Sequence, residues 1–216
     1  MKADSMELTF STEEDIRIQR IEVISQKEAN QIWGIYNPRE DYDKPRFPKE
    51  ALKEVAEISD EDFDNVSDYL IIFLTGLSIK EMRKIANKNV RFITQELAKK
   101  EYDKKGVGGY YLIKMKRTYL EGLTPGRQDG FGIIPPKWRR ANIREAAEIL
   151  LILFFLTGEK HYLNQWHICY GEEDKDGRNF YNLVRFAVNS EKMTFFTRKK
   201  VSGCYDLNSI TIRKAL

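Results

Sequence analysis

Basic side chains are the chemistry this sequence offers most plainly. Lys80, Arg83, Lys84, Lys88 and Arg91 follow one another closely. Lys114, Lys116 and Arg117 lie in an aromatic, branched stretch, and Lys137, Arg139 and Arg140 surround Trp138. Lysine and arginine at this density suit phosphate oxygens, where they displace counterions and give an affinity that falls steeply with salt. These eleven residues are the expected nucleic-acid contacts. Trp138 suits either stacking on a base or packing into the protein. Catalytic sets are not evident. The histidines His161 and His167 have no carboxylate or thiolate cluster beside them, so no metal site is expected. The carboxylates are spread along helices and loops, and no His-Asp-Ser set emerges. We expect no cofactor and no enzymatic activity.

The charge is unevenly distributed. The formal net charge is +3. Residues 1–65 carry 9 Lys and Arg against 17 Asp and Glu, a balance of −8, while the remainder carries 27 against 16, a balance of +11. An acidic head on a basic body suggests that the body meets polyanions and that the head covers or competes with that surface. The 216 residues are enough for one large or two small domains with a proper core. The longest apolar run, Ile149 to Leu156, is too short to cross a bilayer, so no membrane partner is expected. The start, Met1 to Leu8, has no signal-peptide apolar segment. A cytoplasmic address follows, with Cys169 and Cys204 as reduced thiols.

The elements that would position the basic groups centre on residues 69–85. Tyr69 to Leu74 is an unbroken apolar run, read as the end of a buried helix beginning near Ser59. Thr75-Gly76 breaks it. Ser78 is an N-cap with Glu81 at capping-box spacing. Ile79, Met82, Ile85 and Ala86 then share a helix face, leaving Lys80, Arg83 and Lys84 outside. Upstream, the alternation around Ile16 and Ile21 suggests short strands, and Ser25 caps a helix that ends before Gly34. Residues 37–48 form a loop, and Pro48 opens a helix to Ile58. Downstream, Gly106, Gly108 and Gly109 mark a turn, and Tyr110 to Tyr119 is the clearest strand. Phe131 to Ile134 is a short strand stopped by prolines. Asn142 caps an apolar helix to Leu156. His161 to Tyr170 is helical or mixed, and Phe180 to Val188 reads as a helix face. Met193 to Val201 is strand or helix, and Asp206 to Leu216 begins a further helix. The likeness of Leu70–Gly76 to Leu151–Gly158 is read as two similar helix ends, not as a repeat.

Leu74-Thr-Gly-Leu-Ser-Ile-Lys-Glu-Met82 resembles the first catalytic box of tyrosine recombinases, the phage-integrase family, which reads Thr-Gly-Leu-Arg-Ile-x-Glu-Leu. Tyr111 to Thr118 is similar to that family's lysine-bearing hairpin strand, and Phe131 to Pro136 to the strand after it. Cys204 to Ser209 is similar to the second box, His-x-Leu-Arg-His. The resemblance runs from about Ser59 to the C-terminus. It implies a helical body with a small β-hairpin that embraces DNA. It also implies that cleavage is lost. Ser78 stands where the family has its first phosphate-clamping arginine, and Tyr205 and Asn208 stand where it has the histidine and arginine of the second box. A serine cannot supply a guanidinium fork. Little chain follows that box to carry the tyrosine nucleophile.

A winged helix is the alternative. It places helices at 62–74, 78–86 and 90–102 and a basic wing strand at 110–117, with Arg91, Thr94, Gln95 and Lys99 of the third helix in the major groove and Lys104, Lys105, Lys114 and Lys116 touching phosphates from the wing. Residues 90–97 suit helix or strand by periodicity alone. The sequence therefore predicts a mainly helical α+β protein: an acidic region, 1–58, before a basic integrase-like or winged-helix body, 59–216. The expected role is non-catalytic binding of DNA or RNA, as a regulator from a phage or mobile element. The alternatives are an assembly protein that packs nucleic acid without sequence preference and a winged-helix transcription or replication factor. Self-association into a homo-oligomer is a further expected partnership.

Overall fold

Tyr69–Leu74 is a strand, β2, and not the end of a helix. Six residues rich in Ile and Phe suit a pleated surface, and a run this short has no helical period of its own. Strands on both sides settle the matter. β1 (Glu22–Ile24) pairs with β2 in parallel, and β4 (Gly109–Lys116) pairs with it antiparallel over its whole length, from Tyr69 opposite Lys114 to Leu74 opposite Gly109. Leu70, Ile72 and Leu74 enter the main core, while Ile71 and Leu112, opposite each other, are buried away from that cluster. Burial on both faces explains why the run is continuous and not alternating.

The computed structural model describes residues 22–39, 69–85, 90–92, 103–116, 138–157, 167–169, 181–188, 193–200 and 208–214. Among them are three helices: α1 (Gln26–Ile32), α2 (Ile79–Ile85) and α3 (Ile143–Thr157). The remaining strands are β3 (Val90–Phe92), β5 (Arg139–Arg140), β6 (His167–Cys169), β7 (Tyr181–Val188), β8 (Met193–Lys200) and β9 (Asn208–Lys214). They form one mixed sheet in the order β1-β2-β4-β9-β6-β7-β8-β3, with β5 also on β9. The fold is α+β, and the described residues are mainly strand where the sequence predicts mainly helix.

Two further expectations change with it. Tyr181–Val188 is a strand paired with β6 and β8, and Asn208–Lys214 is a strand held between β4 on one side and β5 and β6 on the other. His167–Cys169 is strand as well. Leu, Val, Phe and Ala at 180–188 satisfy a helical stripe and a strand face equally; pairing partners far along the chain decide. The Leu70–Gly76 and Leu151–Gly158 likeness joins a strand to a helix, so the two segments share residues and not structure.

The winged-helix order fails at two points: its first helix ends in β2, and its recognition helix would begin in β3, whose Val90–Phe92 pairs in parallel with Met193–Phe195. The expected strand around Ile21–Val23 overlaps β1. Residues 93–102 lie outside the described set, as do the proposed strands at 16–18 and 131–134, the helices at 49–58 and 59–68, and Cys204 with the rest of the second-box segment up to Leu207.

α3 is the apolar helix that covers the sheet. Ala146, Ala147, Ile149, Leu150, Leu151 and Ile152 are buried, and meet Ile72, Ile113, Ile210, Ile212, Val184 and Phe186 in the core. Each fully buried Leu or Ile contributes roughly 1.5–3 kcal/mol of hydrophobic stabilisation. Cys169 is a fully buried thiol in this core, and burial pushes its pKa far up, which disfavours the thiolate.

The helix starts form where the local signals predict. Ser25 and Glu28 make a reciprocal capping box on α1. Asn142 accepts from the Glu145 N–H at 2.9 Å while its own N–H donates to Glu145 Oε2 at 2.9 Å.

Candidate nucleic-acid interface and the polar network beneath it

The cap of α2 sets the direction of its side chains. Glu81 N–H donates to Ser78 Oγ at 3.2 Å, and Ser78 N–H and Oγ donate to Glu81 Oε2, each at 2.9 Å. Ile79 and Met82 are buried with Ile85 packed behind them, so Lys80, Arg83 and Lys84 are exposed. This is the amphipathic helix the spacing predicts.

Sequence reasoning missed the strap laid beside it. Residues 103–108 run back over the Thr75–Ser78 loop, and Gly106 N–H donates to the Gly76 carbonyl at 2.8 Å. Lys105 Nζ lies 2.9 Å from Glu81 Oε1, and Lys80 Nζ lies 3.2 Å from Asp103 Oδ1. Lys80, Arg83, Lys84, Lys104 and Lys105 thus share one exposed surface with two carboxylates. The glycines were the available signal: a Cβ at Gly106 would run into the Arg144 guanidinium, and one at Gly108 would sit a tight 3.3 Å from the Leu74 and Thr75 carbonyl oxygens.

The Lys105 ammonium, with the Ser78 N–H, lowers the Glu81 carboxyl to about 2. A folded pKa below the unfolded one stabilises the protein above the ordinary glutamate range and is lost as the pH falls toward the folded value. Stability is therefore expected to decline from pH 4.5 toward pH 2 in part through this group. In Glu81→Gln that part of the slope should vanish in urea titrations run across this range. An NMR titration that finds the Glu81 carboxyl unshifted would refute the assignment.

Not every predicted contact lies on this surface. Lys88, Arg117 and Lys137 are outside the described residues. Arg91 is on β3, opposite Thr194; Lys114 is on β4, opposite Tyr69 and Thr211; Lys116 is opposite Ser209. Arg139 and Arg140 need correction as phosphate contacts. Arg140 is only 4% exposed, and Trp138 beside it is buried. Arg139 makes a two-pronged pair with Glu145, both N–O distances 2.7 Å. A planar guanidinium matches a carboxylate in this way, and Glu145 raises the Arg139 pKa further.

Beneath the strap lies a buried network that the sequence analysis did not single out. Glu148, fully buried on α3, accepts from Thr75 N–H at 2.6 Å and Thr75 Oγ1 at 2.5 Å through Oε1. Its Oε2 accepts from Arg144 Nη1 at 2.6 Å, and the same Nη1 approaches the Leu77 carbonyl at 3.4 Å. Burial pushes the Glu148 carboxyl up, and Arg144 and Thr75 draw it back. The sequence signal was present: Arg144, Glu145 and Glu148 are the charges of an otherwise apolar helix, and Arg144 and Glu148 are four apart.

Arg144 and Arg139 face Glu145, and Arg144 faces Glu148. It fastens the Thr75–Ser78 loop to α3 and so aims α2. Among the described residues no group of three or more His, Cys, Asp or Glu is placed to hold a metal ion, and no helix is long and apolar enough to cross a membrane.

No protein-family model, no curated protein and no solved structure matches the chain.

Proposed function

We propose that the protein binds nucleic acid, DNA in the first instance, without cutting it, through the outer face of α2 and the lysines of the 103–108 strap. One observation carries the reading: Lys80, Arg83 and Lys84 from one helix and Lys104 and Lys105 from a distant segment converge on one exposed surface. On this surface Asp103 pairs with Lys80 and Glu81 with Lys105.

Cleavage has no place in this reading. Ser78 is 3% exposed, and its hydroxyl and amide are engaged with Glu81. It is a helix cap and not a phosphate clamp. The reading rests on the α2 surface and does not require a recombinase scaffold. A regulator of a phage or mobile element would use such a surface at one tight site. An assembly protein would use it cooperatively and without sequence preference.

The test is binding of labelled duplex DNA at several salt concentrations, with plasmid nicking assayed alongside. Binding is expected to weaken linearly on a log–log plot against salt. Replacing Lys80, Arg83 and Lys84 by Ala should reduce that slope by about 1 for each phosphate no longer neutralised. Nicking, or a slope unchanged in the triple variant, would refute the proposal.

A further inference from the structure

We infer that the strap is a clasp opened by the polyanion itself, an inference that rests on the nucleic-acid reading and adds a regulatory step to it. Phosphates take Lys80 and Lys105 from Asp103 and Glu81, and residues 103–108 then lift from Gly76 and Arg144. Three observations support this.

The clasp is weak where the ligand would act. The Lys80–Asp103 side chains are 54% and 64% exposed, and Lys105 is 71% exposed against 31% for Glu81. Exposed pairs of this kind contribute about 0–1 kcal/mol each, and salt screens them. Phosphates on a polymer, already surrounded by condensed counterions, gain from taking the same lysines. Opening the clasp also turns two neutralised lysines into contacts.

Beneath, the strap is held by uncharged hydrogen bonds, among them one from the Tyr111 hydroxyl to the Val107 carbonyl at 3.3 Å. Gly106 N–H to Gly76 O is the backbone bond that ties its centre to the loop. Its glycines lie against neighbours without side-chain interlock: a Cβ on Gly106 would overlap Arg144 Cζ and Nε.

What the strap covers is also suited to the ligand. Arg144 is 4% exposed, with Nη1 committed to Glu148. Its Nε and Nη2 have no hydrogen-bond acceptor, although Nη2 lies 3.9 Å from Glu145 Oε1. Buried donors in this state call for an explanation. The Nε–Nη2 edge is the one that grips an oxyanion in a two-pronged fashion, and Gly106 is packed against it. Lifting the strap uncovers a guanidinium already aimed by Glu148.

Amide hydrogen exchange at Gly106, read by NMR with and without a short DNA duplex at low salt, tests the clasp. Faster exchange in the complex is the expected result, because the bond to Gly76 opens. Simple attraction to a cationic surface would leave that amide unmoved or shield it. Asp103→Asn, at an exposed position, should bind more tightly and steepen the salt slope by roughly 0.9 as Lys80 becomes a contact. If the wild type binds DNA with Gly106 exchange unchanged or slowed, the clasp is overturned and the nucleic-acid reading stands. If the wild type fails to bind while Asp103→Asn binds, the clasp is supported as an autoinhibitory lock. If neither binds, both readings fall.

Discussion

Glu148→Ala is expected to cost about 3–5 kcal/mol of stability, the penalty for leaving a buried charge without its partner. The substitution strands the Arg144 guanidinium and also leaves the Thr75 N–H and hydroxyl without their acceptor. The loss should appear in urea denaturation as a lower midpoint at an unchanged slope against denaturant. Arg144→Met combined with Glu148→Leu should recover the part due to the stranded guanidinium, because apolar groups of similar volume need no charge partner, but not the part due to the Thr75 donors, which still lack their acceptor. A penalty below about 1 kcal/mol for the single change would mean that water reaches the network and screens it. Since the network ties Thr75 and Leu77 to α3, Glu148→Ala should also weaken any binding that depends on the direction of α2.

Gly76→Ala carries the second large effect. Gly76 has φ +78°, where a side chain costs roughly 1–2 kcal/mol. A Cβ there would also lie 2.8 Å from the Gly106 carbonyl oxygen and 3.0 Å from the Gly108 nitrogen. Both are backbone atoms, so relief requires moving the whole strap. We expect a total of about 2–4 kcal/mol, strain and displacement together. Gly34 provides the control. It has φ +64° and nothing within 4 Å of its Cβ position. Gly34→Ala should show the conformational part alone, about 1 kcal/mol. Thermal or urea unfolding of the two variants separates the terms. Equal losses would mean that the strap does not press on Gly76. On the clasp inference, Gly76→Ala should also speed exchange at the Gly106 amide before any DNA is added.

These effects mark the boundary between local and distant causes. Ser25, Ser78 and Asn142 start helices because each cap bonds within three residues of itself. Such signals survive in the sequence. The outward direction of Lys80, Arg83 and Lys84 follows from helical spacing alone, and so does the apolar character of α3. The strand nature of 110–116 was legible because aromatic and branched residues leave few alternatives there.

β2, β7 and β9 were read as helix for the opposite reason. A short apolar stretch carries no decisive period, and its state depends on strands that come from elsewhere in the chain. The same holds for charge. By itself the sequence determined where the helices start, which face of α2 is basic, and that the body is cationic. The tertiary structure alone decided which cations stay exposed and which are buried or meet a carboxylate. It turned Arg139 onto Glu145 and buried Arg140 and Arg144. It also brought Lys105 to Glu81 across the intervening chain. A guanidinium or ammonium pairs with whichever anion the fold brings within a few ångströms, and sequence distance does not report that proximity.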